Sequence, residues 1–263
     1  MARLRRDWRL SVTTVKDILD FFEDVAPAAT AMDFDNVGLL VGDGGAAVTK
    51  ALLTLDITAE AAEEAAALGC ELIISHHPVI FRPLRALRTR DAAYVLARHG
   101  MAAVCMHTNL DLSERFGVNT CLAAALGVEN LRRADSGDCL FVGTLAEETD
   151  MLAFARHAKE ALGCEGLRYT DVRERVYTVA LSSGAGGSEI FAAAQEGADV
   201  LVTGEIKHHE INAANELGVN IVDAGHFKSE DVVLAPLRKK LEAAFPEVRF
   251  VKSRTYSDKI KYI

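Results

Sequence analysis

Leu72-Ile73-Ile74-Ser75-His76-His77-Pro78 is a short apolar run that breaks abruptly into polar, chemically active residues. Three consecutive aliphatic residues without polar alternation suit a strand covered on both faces, and Pro78 cannot continue a ladder. The plan recurs three times. Met101 to Met106 ends in His107-Thr108-Asn109-Leu110-Asp111, Val200-Leu201-Val202 ends in Thr203-Gly204-Glu205, and Val219 to Val222 ends in Asp223-Ala224-Gly225-His226. Helix-like segments separate these runs, and each is closed by glycine: Ala59 to Leu68 by Gly69, Ala92 to Arg98 by Gly100, Glu189 to Gln195 by Gly197, and the stretch ending at Leu217 by Gly218. With Ala51 to Ile57 and Val176 to Leu181 as opening strands, each half reads β-α-β-α-β. The predicted fold class is α/β, with two related α/β units whose parallel strands are joined by helical crossovers. In such sheets ligands gather at the carboxyl ends of the strands, which is where the histidines fall in both halves.

The flanks extend this frame. Val15, Ile18, Leu19, Phe22 and Val25 recur at helical spacing, and Pro27 ends that helix. Asp33, Asp35 and Asn36 read as turn residues before a short apolar strand ending at Gly42. The polar stretch Asp135 to Gly143 reads as a passage between the units. Ser229 to Phe245 reads as a helix that Pro236 should kink or interrupt, and Val248 to Ser253 as a final strand.

Composition narrows the function classes. A chain of 263 residues has room for two modest cores, and 38 acidic against 29 basic residues give a formal charge of -9. That balance disfavours nucleic acid as a partner. Cys70, Cys105, Cys121, Cys139 and Cys164 form no C-x-x-C pair and no disulfide framework, which points to a reducing compartment, and Cys70, Cys105 and Cys164 read as buried thiols. The basic stretch Met1 to Leu10 lacks an apolar core of the secretory kind, and no apolar run reaches membrane-spanning length. The expectation is a cytoplasmic protein with no membrane partner.

Five residues are candidate metal ligands. Adjacent His76 and His77 at a strand end can splay toward two metals, or be solvated loop histidines. His226 and Glu230, at i and i+4, share one helix face, as metal-binding pairs do; a helix-start histidine with an exposed Glu is the plainer alternative. Asp111 ends a strand-turn and can serve either as a turn residue or as a carboxylate between cations. Together they offer three imidazoles and two carboxylates, without thiolate. This set suits two divalent transition-metal ions (Zn, Fe, Mn, Co or Ni) better than Mg or Ca. Two such ions would keep a local charge of about +2 and lower the pKa of a held water, as one Zn2+ does to about 7. His107 and Glu205 sit at equivalent strand ends as orienting groups or a general base, and His208 is a candidate for substrate contact. His209 ranks below them.

In this order, the blocks Asp35-Asn36-Val37-Gly38-Leu39-Leu40-Val41-Gly42, Ser75-His76-His77-Pro78, His107-Thr108-Asn109-Leu110-Asp111, Thr203-Gly204-Glu205 and Gly225-His226-Phe227-Lys228-Ser229-Glu230 resemble the Nif-three-like proteins. These are also named GTP cyclohydrolase 1 type 2 homologues or dinuclear metal-centre hexameric proteins. The resemblance runs from about Val15 to the C-terminus. It implies two α/β domains, 1–128 with 236–263 and 129–235, with the site between them. It also implies a dinuclear centre on His76, His77, Asp111, His226 and Glu230, with the carboxylates suited to bridging, and a toroidal homohexamer whose sites face an internal cavity. The larger inserted domain of longer relatives is absent here. Phe34 stands where Trp is common, and Glu205 where Asp is common.

The leading functional expectation is a metal-dependent hydrolase acting on a nucleotide or phosphate-containing small molecule, with GTP ring opening suggested by the family name. The alternative is a non-enzymatic ring protein that regulates, stores metal or acts as a chaperone. The arginines at 82, 85, 88 and 90 suit phosphates, a solvated face or a subunit contact. A calcineurin-like phosphatase would need Asp-x-His on its first strand, and Asp56-Ile57-Thr58 does not supply it. An amidohydrolase would need His-x-His, which is absent.

Overall fold

A computed structural model describes residues 12–263 and assembles these runs into two sheets; the basic stretch Met1 to Leu10 lies outside the described residues. The chain begins α1 (Val15–Val25), β1 (Gly38–Val41), β2 (Lys50–Thr54), α2 (Ala59–Ala67), β3 (Leu72–Ser75), α3 (Ala92–Arg98), β4 (Ala102–Cys105) and α4 (Thr108–Asp111). Next come α5 (Val118–Leu126), β5 (Glu129–Arg133), β6 (Phe141–Asp150), α6 (Met151–Ala161), β7 (Arg168–Tyr169) and β8 (Arg175–Ser182). They are followed by α7 (Ile190–Gln195), β9 (Val200–Thr203), α8 (His208–Leu217), β10 (Asn220–Asp223), α9 (His226–Asp231), α10 (Leu234–Ala244) and β11 (Arg249–Lys252).

The first sheet has the order β1-β4-β3-β2-β11, and the second β5-β6-β8-β9-β10-β7. Parallel kernels match the expectation: β4-β3-β2-β11 in one sheet and β8-β9-β10 in the other. The edges do not. β1, β5, β6 and β7 pair antiparallel, which the apolar runs alone gave no reason to expect.

Both faces of both sheets are covered, which explains the unbroken apolar runs. In the first sheet Leu53, Leu72, Ile74 and Val104 face α1 and α10, while Leu52, Ile73 and Ala103 face α2 and α3. In the second, Phe141, Val179, Leu181 and Val202 face α5 and α6, while Ala180, Leu201 and Ile221 face α7 and α8. Alternate residues go to opposite sides, as the pleat dictates. Each fully buried Leu, Ile or Phe contributes about 1.5–3 kcal/mol.

One local expectation is corrected and another is narrowed. The polar stretch at 135 to 143 is no passage between halves. Residues 134–140 close a hairpin in which Arg133 faces Phe141 and the Ala134 N–H donates to the Leu140 carbonyl at 2.9 Å. The crossing is made by α5, whose Val118 and Cys121 join the core under the first sheet while Leu122 and Leu126 join the second. At Pro236 the outcome is an interruption rather than a kink. The proline sits in the first turn of α10, where no N–H partner is needed, and the break lies at Val232 and Val233. Among the described residues no helix is long and apolar enough to cross a membrane.

Candidate metal centre

The carboxyl ends of the two parallel kernels face each other. β3 runs out into His76 and His77, whose backbone N–H groups still donate to the carbonyls of Thr54 and Leu55 at 3.3 and 2.8 Å, extending the ladder to β2. β4 runs out into His107, with Asp111 at the end of the short α4. From the second sheet, β10 delivers His226 as the first residue of α9, and Glu230 follows one turn later. His226 and Glu230 are held by Ser229, which donates to the His226 carbonyl at 2.9 Å and accepts the Gly184 N–H at 3.0 Å.

All five nominated ligands come together. His76 Nε2 lies 3.5 Å from Asp111 Oδ1 and 3.6 Å from Glu230 Oε1. His77 Nε2 lies 3.2 Å from Glu230 Oε2 and 3.4 Å from His226 Nε2, which is itself 3.1 Å from Glu230 Oε1. Among the described residues, two groups of donor atoms meet the spacing a metal ion requires: His76, His77 and His107, and His77, His226 and Glu230.

Every imidazole is aimed from behind. His76 Nδ1 bonds the Met106 carbonyl at 2.9 Å, His77 Nδ1 meets Asp56 at 3.0 Å, His107 Nδ1 meets Asp35 at 2.9 Å, and His226 Nδ1 meets Glu205 at 2.7 Å. Such partners fix the tautomer and leave Nε2 free toward the cluster.

The electrostatics are those of a metal-type donor set. Burial opposes ionisation of Glu230, yet His76, His226 and His77 hold its carboxyl well below the usual range. Burial pushes the Asp111 carboxyl up, against the pull of His76. Burial alone would lower His77, but Asp56 and Glu230 lift it to about 10. Hydrogen bonding to Glu230 outweighs burial at His226 and, with Glu205, lifts it to about 9. His76 Nε2, Asp111 Oδ1 and Glu230 Oε2 are buried without a hydrogen-bond partner. Buried polar atoms are rarely left so, and atoms aimed at one space fit a bound cation. The nitrogen and oxygen donors suit transition metals.

The remaining nominations divide. His107 joins the cluster, its ring 5.2 Å from that of His76 and 5.4 Å from that of His77. Glu205 is the partner of His226 rather than a member of either donor group. His208 and His209 are exposed at the start of α8, and neither belongs to a donor group. Asp35 is no simple turn residue: its carboxylate takes His107 and the Thr108 N–H, and these bonds hold it far below the usual range although burial opposes them. Sequence reading missed Asp56 in the same way, although its place just past β2, level with His76 and His77, was a usable signal.

A cavity of about 850 Å³ opens beside the cluster, walled by Asp56, His77, Glu205, His226, Phe227 and Tyr256. Tyr256 reaches it from the stretch after β11, and its hydroxyl donates to Asp56.

Fold and site together define a two-sheet α/β protein with a histidine–carboxylate cluster of metal-binding type at its facing strand ends. The model of the Duf34/NIF3 family (NGG1p interacting factor 3) matches residues 13–259, and the chain belongs to that family. It is 33% identical over 261 residues to the GTP cyclohydrolase 1 type 2 homolog of Clostridium perfringens, covering 95% of this chain and 99% of the relative. The crystal structure of a Staphylococcus aureus hypothetical protein superposes with a TM-score of 0.88 at 27% identity, covering 96% of this chain and 100% of that one. A Bacillus cereus protein related to NIF3 shares the fold at a TM-score of 0.84 and 24% identity, with coverages of 97% and 100%.

Proposed function

We propose that His76, His77, Asp111, His226 and Glu230 hold two divalent transition-metal ions, with His107 beside them, and that the protein is a metal-dependent hydrolase of nucleotides or phosphate-containing small molecules. The observation that carries this reading is the convergence of buried, unpartnered His76 Nε2, Asp111 Oδ1 and Glu230 Oε2, with each imidazole steered from its far side. Glu230 offers Oε2 to the His77 side and Oε1 to the His76 and His226 side, so it is common to both halves of the set. Bound ions would supply Lewis acidity and a water of lowered pKa. The chain's own residues supply the rest. Asp56, Asp35 and Glu205 orient imidazoles, and the cavity beside His77 and His226 admits a small molecule. GTP ring opening, a homohexameric ring, a cytoplasmic location, and a division into 1–128 with 236–263 and 129–235 belong to the same reading, supported by family membership and the name of the relatives.

Elemental analysis of protein purified without added metal tests it, beside a His76→Ala/Glu230→Ala variant. The expected result is about two transition-metal ions per chain in the parent and none in the variant, followed by activity in a phosphoester and nucleotide screen. Equal, negligible metal in both would sink the reading.

A further inference from the structure

The connection between β3 and α3 carries charge of one sign up to Arg90, before Asp91 at the start of α3. Arg82, Arg85, Arg88 and Arg90 are interleaved with Phe81, Leu84 and Leu87, and no acidic residue occurs between Glu71 and Asp91. Every residue from 81 to 90 is exposed, in a chain whose overall balance is strongly acidic. Among the described residues no carboxylate pairs with these four guanidinium groups. Arg98, Arg132, Arg168 and Arg173 elsewhere do pair, with Glu63, Glu196, Asp223 and Asp199.

The segment is anchored at the rim of the candidate metal centre. The Asn36 side-chain amide donates to the Ile80 carbonyl at 2.5 Å. The Phe81 ring stands 6.3 Å from the His107 ring at 86°, and the Phe34 ring lies 6.3 Å from Phe81 at 68°. Both rings keep an open face, with Phe34 63% and Phe81 41% exposed. Exposed aromatic faces beside unpaired arginines are recognition chemistry rather than ordinary surface.

We propose that Phe34, Phe81 and the arginines of this segment bind a nucleoside polyphosphate, with the flat base against the phenylalanines and the phosphates on Arg82, Arg85, Arg88 and Arg90; its delivery to the centre for hydrolysis rests on the function proposed above. Guanidinium groups grip phosphate oxygens in a bidentate fork, and stacking on an aromatic ring contributes about 1–3 kcal/mol per base. A small ligand is favoured over an extended nucleic acid because the acid excess outside the segment repels a long phosphate backbone.

Calorimetric titration of GTP into the full chain, as purified and after chelator treatment, tests the site. In low salt, Arg82→Gln/Arg85→Gln should weaken GTP at least tenfold, and Phe34→Ala/Phe81→Ala should do likewise. Metal content and far-UV circular dichroism should stay as in the parent, because these side chains are exposed. Inorganic tripolyphosphate should bind more weakly than GTP, lose affinity in the arginine variant and ignore the phenylalanine variant. GTP affinity unchanged when all four arginines become Gln would overturn the proposal. So would a single-stranded oligonucleotide that binds more tightly than GTP and gains affinity with length, or arginine variants that change only the oligomeric mass. GTP binding by the chelated chain is independent of the metal centre, so an empty elemental analysis beside intact arginine-dependent binding would refute the hydrolase reading alone.

Discussion

The two sheets bring different things to the place where they meet. The first presents side chains: His76, His77, His107 and Asp111 follow β3 and β4, backed by Asp56 and Asp35. The second presents two donors and the room to seat them. Beyond β8 and β9 stand Gly184 and Gly204, and into the space they leave slides α9 with His226 and Glu230. A Cβ on Gly204 would stand 2.7 Å from the His226 Cα, and one on Gly184 would stand 2.3 Å from Glu230 Oε1. A site between two sheets needs donors from both and an emptied edge to seat them.

The sharpest way to break that comparison is Gly184→Ala. Gly184 has φ +61, and its added methyl would meet Glu230 Oε1 and also lie 3.3 Å from His226 Nε2. The carboxylate must move, so metal affinity should fall by about 100-fold or more, with a stability loss of about 1–3 kcal/mol from backbone strain. Gly69→Ala is the matched control, since Gly69 has φ +69 but open space around it. It should cost about 1 kcal/mol and leave metal binding alone. Chelator competition and thermal melts read both. Parental affinity in Gly184→Ala would mean that the emptied edge is incidental.

A smaller effect separates the orienting carboxylates. Asp56→Asn replaces the His77 partner with an amide that no longer dictates the tautomer, and loss of such partners typically costs about 10–100-fold in metal affinity. Glu205→Gln should cost only a few-fold, because the Glu205 side chain is 59% exposed while that of Asp56 is 37% exposed. Equal losses would show that the two sheets orient their histidines alike.

Much of this was legible in the chain, for reasons of range. Buried parallel strands announce themselves as local apolar runs, so the kernels and their histidine-bearing ends could be read directly. The i, i+4 spacing of His226 and Glu230 is also a local fact. Asp35 was not legible, because its role depends on His107, 72 positions away; Asp56 carried a local signal past β2, but its contact with Tyr256 spans 200 positions. The antiparallel edges escaped for a related reason. β5 is mostly exposed and carries charged residues, so no apolar run marks it. His208 had the right chemistry at a helix start, but the sheet geometry leaves it on the surface.

Proton linkage tests the donors of both sheets at about tenfold per pH unit for each proton displaced. In the metal-free chain His77 is lifted to about 10 and His226 to about 9, above an unfolded value of about 6.5. Raised imidazoles stabilise the metal-free fold fully below pH about 6.5, and that contribution is lost as pH rises through about 9 to 10. Metal binding must therefore release protons and strengthen with rising pH up to that window. Titrations in buffers of different ionisation heat should show the release, and the metal-free melting temperature should fall between pH of about 6.5 and 10. A pH-independent affinity would mean that the imidazoles are already neutral.

The smallest expected effect lies furthest from the donors. Tyr256 lies beyond β11, whose exit is tied to α2 by Glu64: its carboxylate accepts from the Ser253 hydroxyl at 2.6 Å, the Arg254 N–H at 2.9 Å and the Thr255 hydroxyl at 2.8 Å. That clasp delivers the Tyr256 hydroxyl to Asp56, which steers His77. Burial and the Asp56 charge push the phenol above its usual range, so it remains a donor across working pH. Tyr256→Phe keeps the ring against Phe227 and removes only the hydrogen bond, a change of about 0.5–1.5 kcal/mol, or a few-fold in metal affinity. If Asp56 mediates the effect, Tyr256→Phe should add nothing in an Asp56→Asn background. Full additivity there would mean that Tyr256 acts on the cavity wall and not through the first sheet's carboxylate.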